Sequence, residues 1–362
     1  MTQMTKVEIE SRLRQFVEPH YGVDLMTAKA LKSIDIDGLN VHLVVELGYA
    51  AKSYLETLKS DLIAHLKSVE GIGNIVVDIS VKIVAHAVQQ NVKLVPNVKN
   101  IIAVASGKGG VGKSTTAVNL ALALAQEGAK VGILDADIYG PSVPMMLGLS
   151  GKPESFDNKT MQPKVAFGVQ TMSIGYLVAE DQALIWRGPM VTTALQQLLK
   201  ETQWEALDYL VIDLPPGTGD IQLTLAQNVP VSGAIIVTTP QDIALLDAQR
   251  GFGMFEKVNV PVLGLVENMS LHICSQCGHE EAIFGSGGGA AMSEINKIDC
   301  LGQLPLDIHI RQYADSGEPI VVAQPDSRIA QIYLDIARKM SARLALKPKD
   351  FSGKFPNIVV QK

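Results

Sequence analysis

Residues 106–115 read SGKGGVGKST, a glycine-rich run that ends in a lysine and two hydroxyl residues. The run satisfies the pattern G-x-x-x-x-G-K-S/T and lies between a strand-like segment, NIIAVA, and a helix-like segment, TTAVNLALALAQEG. Glycines at this spacing let backbone N–H groups converge on phosphate oxygens, and the helix start adds the positive end of its dipole. The pattern predicts a phosphate cradle in which Lys113 neutralises the β- and γ-phosphates and Ser114 ligates Mg²⁺. The predicted cradle consists of Gly107, Lys108, Gly109, Gly110, Val111, Gly112, Lys113, Ser114 and Thr115.

Acidic residues follow two further apolar runs. Asp213 ends the run LVID, where phosphoryl-transfer chemistry needs an acidic magnesium partner, although it could be a strand-end cap. In the next loop, LPPGTGD, the Gly217 N–H is expected to sense the γ-phosphate. Asp135 and Asp137 follow VGIL, and either carboxylate could orient the attacking water or hold a magnesium-bound water, while one could instead cap a turn. Of these two, Asp137 is the predicted catalytic residue.

Two cysteines, Cys274 and Cys277, have metal-ligand spacing in the sequence CSQC, with His272 and His279 nearby. The residues alone leave three interpretations open. A thioredoxin-like redox pair should open a helix beside the first strand of a small fold, which this position does not offer. A zinc site would add histidines or a second chain's cysteine pair. An iron–sulfur cluster normally needs four thiolates, which two copies of this chain could supply. Cys300, at the start of the apolar run CLGQLPL, is predicted to be a buried strand residue.

The first 84 residues predict a small α+β unit. Residues 52–68 carry apolar side chains at helical spacing, and residues 6–18 also predict a helix. Strands are predicted over 39–48 and 74–84, where the sequence is apolar and rich in β-branched residues.

A second pattern begins near Asn100, after a predicted linker over 85–99 that has no sustained period. From 100 to 350, five short apolar runs alternate with segments of helix length. This order predicts an α/β domain with a P-loop, in which a doubly wound, mostly parallel sheet is built from right-handed crossovers. Ligands bind such sheets at the carboxyl ends of the strands, where the glycine-rich run and the acidic residues described above are found. Residues 351–362 are expected to form a tail.

Composition limits the possible functions of the 362-residue chain. Hydrophobic residues make up 47% and aromatic residues 5%, as suits a parallel sheet with an aliphatic core. A net charge of −6 without long runs of like charge disfavours nucleic-acid binding and stable membrane association. The N-terminus lacks a signal-peptide pattern, and no run approaches the roughly 18 apolar residues of a membrane span. Three cysteines in such a chain favour a reducing compartment, so we expect a cytoplasmic protein.

The string GKGGVGKST resembles the deviant Walker A motif of the MinD/ParA/nitrogenase-iron-protein group, whose mark is an extra lysine, here Lys108. In that group this lysine reaches the partner's nucleotide across a two-fold axis, so the resemblance implies a homodimer that encloses ATP and a catalytic role for Lys108 beside Lys113. Within the group the chain is similar to the Mrp/ApbC family of iron–sulfur carrier ATPases from about residue 95 to 345. The shared motifs are SGKGGVGKST, LDADIYGPS, WRGPM (186–190), DYLVIDLPPGTGD, VTTPQDIAL, VENMS, CSQC and LGQLPLD.

The family resemblance implies hydrolysis of ATP with Mg²⁺ and transfer of an iron–sulfur cluster to apoproteins. It implies that Cys274 and Cys277 of two subunits bridge a 4Fe-4S cluster. Asn268 aligns with the residue that contacts adenine in the group, and the segment around Pro305 and Asp307 resembles the one flanking the base, although all three could be ordinary strand-end turn residues. The N-terminal 85 residues resemble an iron–sulfur assembly domain but contain no cysteine, which favours a partner-contact role.

A different class of function remains as an alternative, a MinD/ParA-like ATPase that organises on membrane or DNA. Residues 327–347 predict a basic amphipathic helix of the kind that could bind a membrane surface. A helix packed against the sheet explains the pattern as well, since its apolar residues share one face. These residues are Ile329, Ile332, Ile336, Met340 and Leu344. A ligase or reductase component is a third class, but no recognisable substrate pocket supports it.

Overall fold

The computed structural model describes residues 5–90, 92–177, 188–274 and 276–350. Part of the WRGPM motif, the serine of CSQC and the predicted tail lie outside these ranges. Within the described residues, a small α+β unit precedes an eight-stranded, mostly parallel sheet with helices on both faces. The predicted fold class is therefore confirmed.

The N-terminal unit packs two helices against a three-stranded sheet of order β3-β4-β5. Strands β3 and β4 are antiparallel, whereas β4 and β5 are parallel because α2 connects them. Alternate residues of β4 are buried against the helices, which is the pattern of a sheet with one covered face. The elements are α1 (Lys6–Arg14), β1 (Val17–Glu18), β2 (Val23–Asp24), β3 (Leu31–Asp37), β4 (Asn40–Leu47), α2 (Leu55–Leu66) and β5 (Ile75–Val81).

The helix predicted over 6–18 is shorter than expected. A capping box between Thr5 and Glu8 starts α1, which ends at Arg14. The chain then enters β1, where the buried Glu18 accepts a hydrogen bond from the Tyr21 N–H at 2.6 Å. This local contact favours the β1–β2 turn over another helical turn.

The segment predicted as a linker is held to the C-terminal end of the described chain. The Ala87 N–H donates to the Pro348 carbonyl at 2.9 Å, and the Asp350 N–H donates to the Ala85 carbonyl at 3.0 Å. The buried His86 ring also lies 3.0 Å from Asn100 Oδ1 at the start of the large sheet. These contacts join the two units at more than one point along the linker.

The large sheet has the strand order β15-β12-β11-β6-β10-β7-β9-β8, in which only the β8–β9 pair is antiparallel. Its central strands are buried on both faces, which explains their continuous apolar sequences. From residue 98 the strands are β6 (Val98–Ala105), β7 (Val131–Asp135), β8 (Lys164–Ala166), β9 (Val169–Ser173), β10 (Leu207–Asp213), β11 (Gly233–Thr238), β12 (Val262–Glu267), β13 (His272–Ile273), β14 (Glu280–Glu281) and β15 (Cys300–Gln303).

Helices cover the sheet on both sides. One apolar cluster joins it to α3, α4, α10 and α11, and the other joins it to α5, α6, α7 and α8. These helices are α3 (Lys113–Gln126), α4 (Val143–Met146), α5 (Gly188–Glu201), α6 (Asp220–Asn228), α7 (Asp242–Lys257), α8 (Gly288–Asn296), α9 (Ile308–Asp315), α10 (Ile320–Ala323) and α11 (Arg328–Ala345).

The amphipathic C-terminal helix α11 packs against α3 and β15 rather than presenting an apolar face to solvent. Ile336, Met340 and Leu344 are buried, and Ile329 and Ile332 are half-buried against the same cluster. Among the described residues, no helix is both long and apolar enough to cross a bilayer. The packed interpretation of residues 327–347 is therefore the correct one.

Candidate nucleotide site and cysteine hairpin

The phosphate cradle connects β6 to α3, as predicted. Gly112 adopts a left-handed conformation, φ 83°, immediately before the first residue of the helix, Lys113. A Cβ on Gly112 would lie 2.2 Å from Asn268 Nδ2, and a Cβ on Gly107 would lie 2.2 Å from the carbonyl carbon of Asp247 in α7. Glycine at both positions therefore lets the loop pass close to two neighbouring elements.

Lys113 and Asp213 form a buried ion pair at the centre of the cradle. Lys113 Nζ lies 2.5 Å from Asp213 Oδ1 and 3.1 Å from Ser114 Oγ. The side chain of Lys113 is 6% exposed and that of Asp213 is 0% exposed. Burial raises the pKa of Asp213, and the charge of Lys113 offsets part of that rise. Asp213 Oδ2 is buried and has no hydrogen-bond partner among the described residues. A carboxylate oxygen left unpaired beside a hydroxyl fits a hard cation such as Mg²⁺.

The structure separates the roles of the two acidic residues after β7. The fully buried Asp135 carboxylate accepts backbone N–H groups from Asp137, Ser142 and Val143 at 3.0–3.1 Å. It also accepts the hydroxyl of Ser173 at 3.1 Å. Burial, with the nearby charge of Asp213, raises the pKa of Asp135 to about 7. Asp135 therefore holds the loop in place.

Asp137 lies in that loop and remains half-buried. Burial raises its pKa, whereas the charge of Lys113 acts to lower it, which means that the carboxyl lies near the cradle. The Asp137 carboxyl also accepts backbone hydrogen bonds, from Tyr139 and Gly140, but unlike Asp135 it is not fully buried.

Of two predicted nucleotide contacts, the Gly217 N–H is bonded elsewhere in this structure, and Lys108 has no partner in the described residues. The Gly217 N–H donates to the Ser106 carbonyl at 3.0 Å, so the 214–220 loop must break that bond before this N–H can reach a γ-phosphate. The Lys108 side chain is half-buried, and its ammonium has no hydrogen-bond or ion-pair partner in the part of the chain that the structure describes. An unpaired lysine beside the cradle is free to contact a group from outside the chain.

A cavity of about 200 Å³ opens beside Gly112 and Thr115. The structure brings Asn268, Pro305 and Asp307 together in its wall, although they come from two loops. Asn268 donates from Nδ2 to the Val111 carbonyl at 2.9 Å, and Asp307 caps α9 by accepting the His309 N–H at 2.7 Å. The remaining wall residues were not predicted; Met269 and Leu306 lie within the motifs VENMS and LGQLPLD, and no motif marks the others. The remaining wall residues are Met145, Met146, Met269, Leu306, Ile310, Arg311, Ala314 and Asp315.

The two cysteines lie at the turn of the β13–β14 hairpin. The Cys274 N–H donates to the His279 carbonyl at 2.9 Å, and the Gly278 N–H donates to the Cys274 carbonyl at 2.8 Å. Hydrogen bonds from the N–H groups of Gln276 and Cys277 lower the pKa of the Cys274 thiol. Cys277 is exposed and Cys274 is half-exposed. The turn therefore presents two accessible thiols.

A complete metal site is not assembled in one described chain. Within residues 5–350, leaving aside the short undescribed gaps, no group of three or more His, Cys, Asp or Glu side chains could hold a metal ion. The His272 ring instead lies 3.2 Å, through Nδ1, from the Leu306 carbonyl. Cys300 begins β15 as predicted but is half-buried rather than buried, and burial raises its pKa. The single-chain zinc arrangement that adds nearby histidines therefore finds no support.

The family profile described as NUBPL iron-transfer P-loop NTPase matches residues 97–341. The chain belongs to this family of iron-transfer P-loop NTPases. A second profile, iron-sulfur cluster assembly protein, matches residues 6–79 of this NTPase, which is the N-terminal unit. The resemblance drawn from the motifs is thereby confirmed for both parts of the chain.

Curated relatives of this iron-transfer NTPase share most of its length. The iron-sulfur cluster carrier protein of Haemophilus influenzae is 52% identical over 93% of this chain and 91% of its own. The protein of the same name from Escherichia coli K12 has the same identity and coverage. The mouse iron-sulfur cluster transfer protein NUBPL is 52% identical over 71% of this chain and 81% of its own.

Solved structures resemble the NTPase domain. A nucleotide-binding protein from Archaeoglobus fulgidus in complex with ADP is 36% identical, with a TM-score of 0.57 over 65% of this chain and 92% of its own. The cell division ATPase MinD of Pyrococcus furiosus is 22% identical, with a TM-score of 0.50 over 66% of this chain and 97% of its own, and shares the fold alone.

Proposed function

We propose that this iron-transfer NTPase binds and hydrolyses ATP and carries an iron–sulfur cluster that it passes to apoproteins. The observation that carries the proposal is the position of Cys274 and Cys277, two accessible thiols on a hairpin whose base adjoins the cavity beside the phosphate cradle. A cluster held by few, exposed ligands can be released, which suits a carrier. The carrier and transfer names of the relatives support the same conclusion.

Nucleotide binding in this proposal uses the residues of the cradle. Lys113 leaves its ion pair with Asp213 for the β- and γ-phosphates, while the backbone of residues 107–115 surrounds them. Ser114 and Asp213 are the residues that would hold Mg²⁺, which neutralises charge on the phosphates. Asn268, Pro305 and Asp307 would surround the base, and the Gly217 N–H would sense the γ-phosphate. Asp137 would orient the water that attacks the γ-phosphorus.

A homodimer completes the proposed site. One chain supplies two thiolates, and a cluster with four cysteine ligands therefore needs a second copy. Helix α7 packs against Gly107, and its Ile243 and Leu246 are each 65% exposed, which offers an apolar surface beside the cradle. Lys108, which lacks a partner in its own described chain, would contact the nucleotide of the other subunit.

The alternative role on a membrane receives no specific support because α11 buries its apolar face within the fold. The net charge of −6 likewise does not favour organisation on DNA. We also propose a cytoplasmic location, since the three cysteines are free.

The test is anaerobic reconstitution with iron and sulfide, followed by iron counting, visible absorption and transfer to an apo-ferredoxin. Cys274→Ser and Cys277→Ser should each abolish the cluster and its transfer while leaving nucleotide affinity within about twofold, because the cradle is separate from the turn. Cys300→Ser is the matched control and should retain both. A full cluster in Cys274→Ser would show that the ligands are assigned wrongly.

A further inference from the structure

Residues 304–307 lie between the cavity and the cysteine hairpin. On one side, Pro305, Leu306 and Asp307 form part of the cavity wall. On the other side, the same segment forms hydrogen bonds with residues 270–272, which lead into the hairpin. A change in the position of this segment therefore affects both places.

Ser270 makes the most buried of these contacts, since it is only 7% exposed. Its backbone N–H and its hydroxyl both donate to the Leu304 carbonyl, each at 3.0 Å. The Leu306 N–H donates to the Leu271 carbonyl at 2.7 Å, which extends the pairing by one more bond. The base of the hairpin is thus attached to the cavity wall by main-chain and side-chain bonds.

His272 adds a second side-chain contact at the first residue of β13. Its Nδ1 lies 3.2 Å from the Leu306 carbonyl, where the ring must carry the proton to donate. The hairpin itself has only two paired residues on each strand, at 272–273 and 280–281. A hairpin of this size is not stable alone, so its attachment at the base determines where the thiols lie.

Residues 268–274, which lead into the hairpin, also contact the phosphate cradle at their first residue. Asn268 donates to the Val111 carbonyl at 2.9 Å and lies against Gly112. Cys274 follows Asn268 by six positions in the chain. Residues 268–274 are therefore connected to the nucleotide site at two points, directly through Asn268 and indirectly through residues 304–306.

We propose that Ser270 and His272 are positioning residues that couple occupancy of the nucleotide site to the exposure of Cys274 and Cys277. Nucleotide in the cavity shifts or orders residues 304–307, and the two side chains transmit this change to the base of the hairpin. The inference rests on the proposed nucleotide and cluster sites and adds how one would regulate the other. Neither side chain lines the cavity, so neither is needed for nucleotide binding itself.

The test measures thiol alkylation in the reduced, cluster-free full chain. A Cys300→Ser background leaves only the two hairpin thiols to react with iodoacetamide, and mass spectrometry follows each one. Addition of a β,γ-imido analogue of ATP with Mg²⁺ should change the alkylation rate about fivefold, the factor associated with one net hydrogen bond. Calorimetry on the same samples measures binding of the analogue.

Ser270→Ala, which removes only the hydroxyl, should reduce the nucleotide effect to below about twofold while analogue affinity stays within about twofold. Ser270→Thr keeps a hydroxyl and should restore the effect. Ser341→Ala is the matched control, because that buried hydroxyl donates to the Ala337 carbonyl in α11 and should have no influence. Should Ser270→Ala fail to fold, His272→Phe at a half-buried position provides the same test.

The outcomes separate this coupling from the function it rests on. If the Cys300→Ser chain with Ser270 intact binds the analogue without any change in alkylation, the coupling is overturned, although the proposed nucleotide site is not. A Ser270→Ala chain that keeps the full effect would overturn it as well. A wild-type chain that does not bind the analogue would contradict the proposed function first, and the coupling with it.

Discussion

Glu127, the residue that follows the last turn of α3, accepts two hydrogen bonds from Ser53 of the N-terminal unit. The Ser53 N–H lies 2.9 Å and the Ser53 hydroxyl 2.6 Å from the buried carboxylate. Arg338 of α11 donates to the same carboxylate from Nε at 2.8 Å. Helix α3 starts at Lys113 in the cradle and has 14 residues, a length of about 21 Å. The small unit is therefore attached to the far end of the helix that begins at the nucleotide site.

Glu127→Ala should destabilise the chain because it leaves a guanidinium and an N–H without their buried acceptor. The side chains of Glu127 and Arg338 are 0% and 12% exposed, so the free energy of unfolding in urea should fall by about 3 kcal/mol. Asp315→Ala breaks the exposed ion pair with Arg311 and should cost less than about 0.5 kcal/mol. An equal fall in the free energy of unfolding in the two variants would mean that the buried Glu127 contact stabilises the chain no more than an exposed ion pair does.

His20 forms a second buried polar contact between the units. Its Nδ1 lies 3.0 Å from Glu18, and its Nε2 lies 3.3 Å from Asp335 of α11. Tyr49 and Tyr54 pack against the ring. Burial acts to lower the pKa of His20, but hydrogen bonds to Asp335 and Glu18 outweigh it and the pKa is raised overall.

The raised pKa of His20 predicts a fall in stability with rising pH. The protonated ring stabilises the folded chain fully below its unfolded pKa of about 6.5, and this contribution is lost as pH rises through the higher folded value. The difference in unfolding free energy between wild type and His20→Gln, measured by urea titration, should therefore decrease as the pH rises from 6 to 9. A difference that does not vary with pH would refute the assignment.

Gly112→Ala should weaken nucleotide binding, because φ of 83° is left-handed and the added Cβ would lie 2.2 Å from Asn268 Nδ2. Strain of this kind costs about 1–3 kcal/mol, so calorimetry should find nucleotide affinity reduced at least about fivefold. Gly253→Ala in α7 is the control, since no atom lies within 4 Å of the new Cβ. That variant should gain about 0.5–1 kcal/mol of stability and keep its affinity. Unchanged binding in Gly112→Ala would argue against this cradle geometry.

Asp213→Asn should remove the dependence of nucleotide affinity on Mg²⁺. The buried Oδ2 has no partner among the described residues and is the oxygen available for the ion. ATP hydrolysis should fall at least about 100-fold, because a metal ion contributes several kcal/mol to phosphoryl transfer. Asp208 lies at the amino end of the same strand and pairs with Lys99, so Asp208→Asn should change the rate less than about twofold. A Mg²⁺ response that survives in Asp213→Asn would place the ion elsewhere.

The cradle could be predicted because its determinants are local. Residues 107–115 adjoin one strand and one helix, and each requirement is visible within ten positions. The apolar runs that lead to Asp135 and Asp213 are strands in the structure, as predicted, since strands buried on both faces have continuous apolar sequences.

Other features could not be predicted because they depend on distant residues or on exposed elements. The edge strand β3, LKSIDID, was missed because only Ile34 is buried in it and charged residues alternate along its length. Glu127 and Ser53 are 74 positions apart, and no local pattern links them. The same holds for the Gly217 N–H, whose Ser106 partner follows another strand.

Native mass spectrometry of the anaerobically reconstituted chain tests the shared cluster most directly. We predict a dimer whose mass exceeds that of two chains by one four-iron, four-sulfide cluster, and a return to cluster-free chains in Cys277→Ser. A monomer that carries the cluster alone, or a dimer with a separate cluster in each chain, would contradict the account.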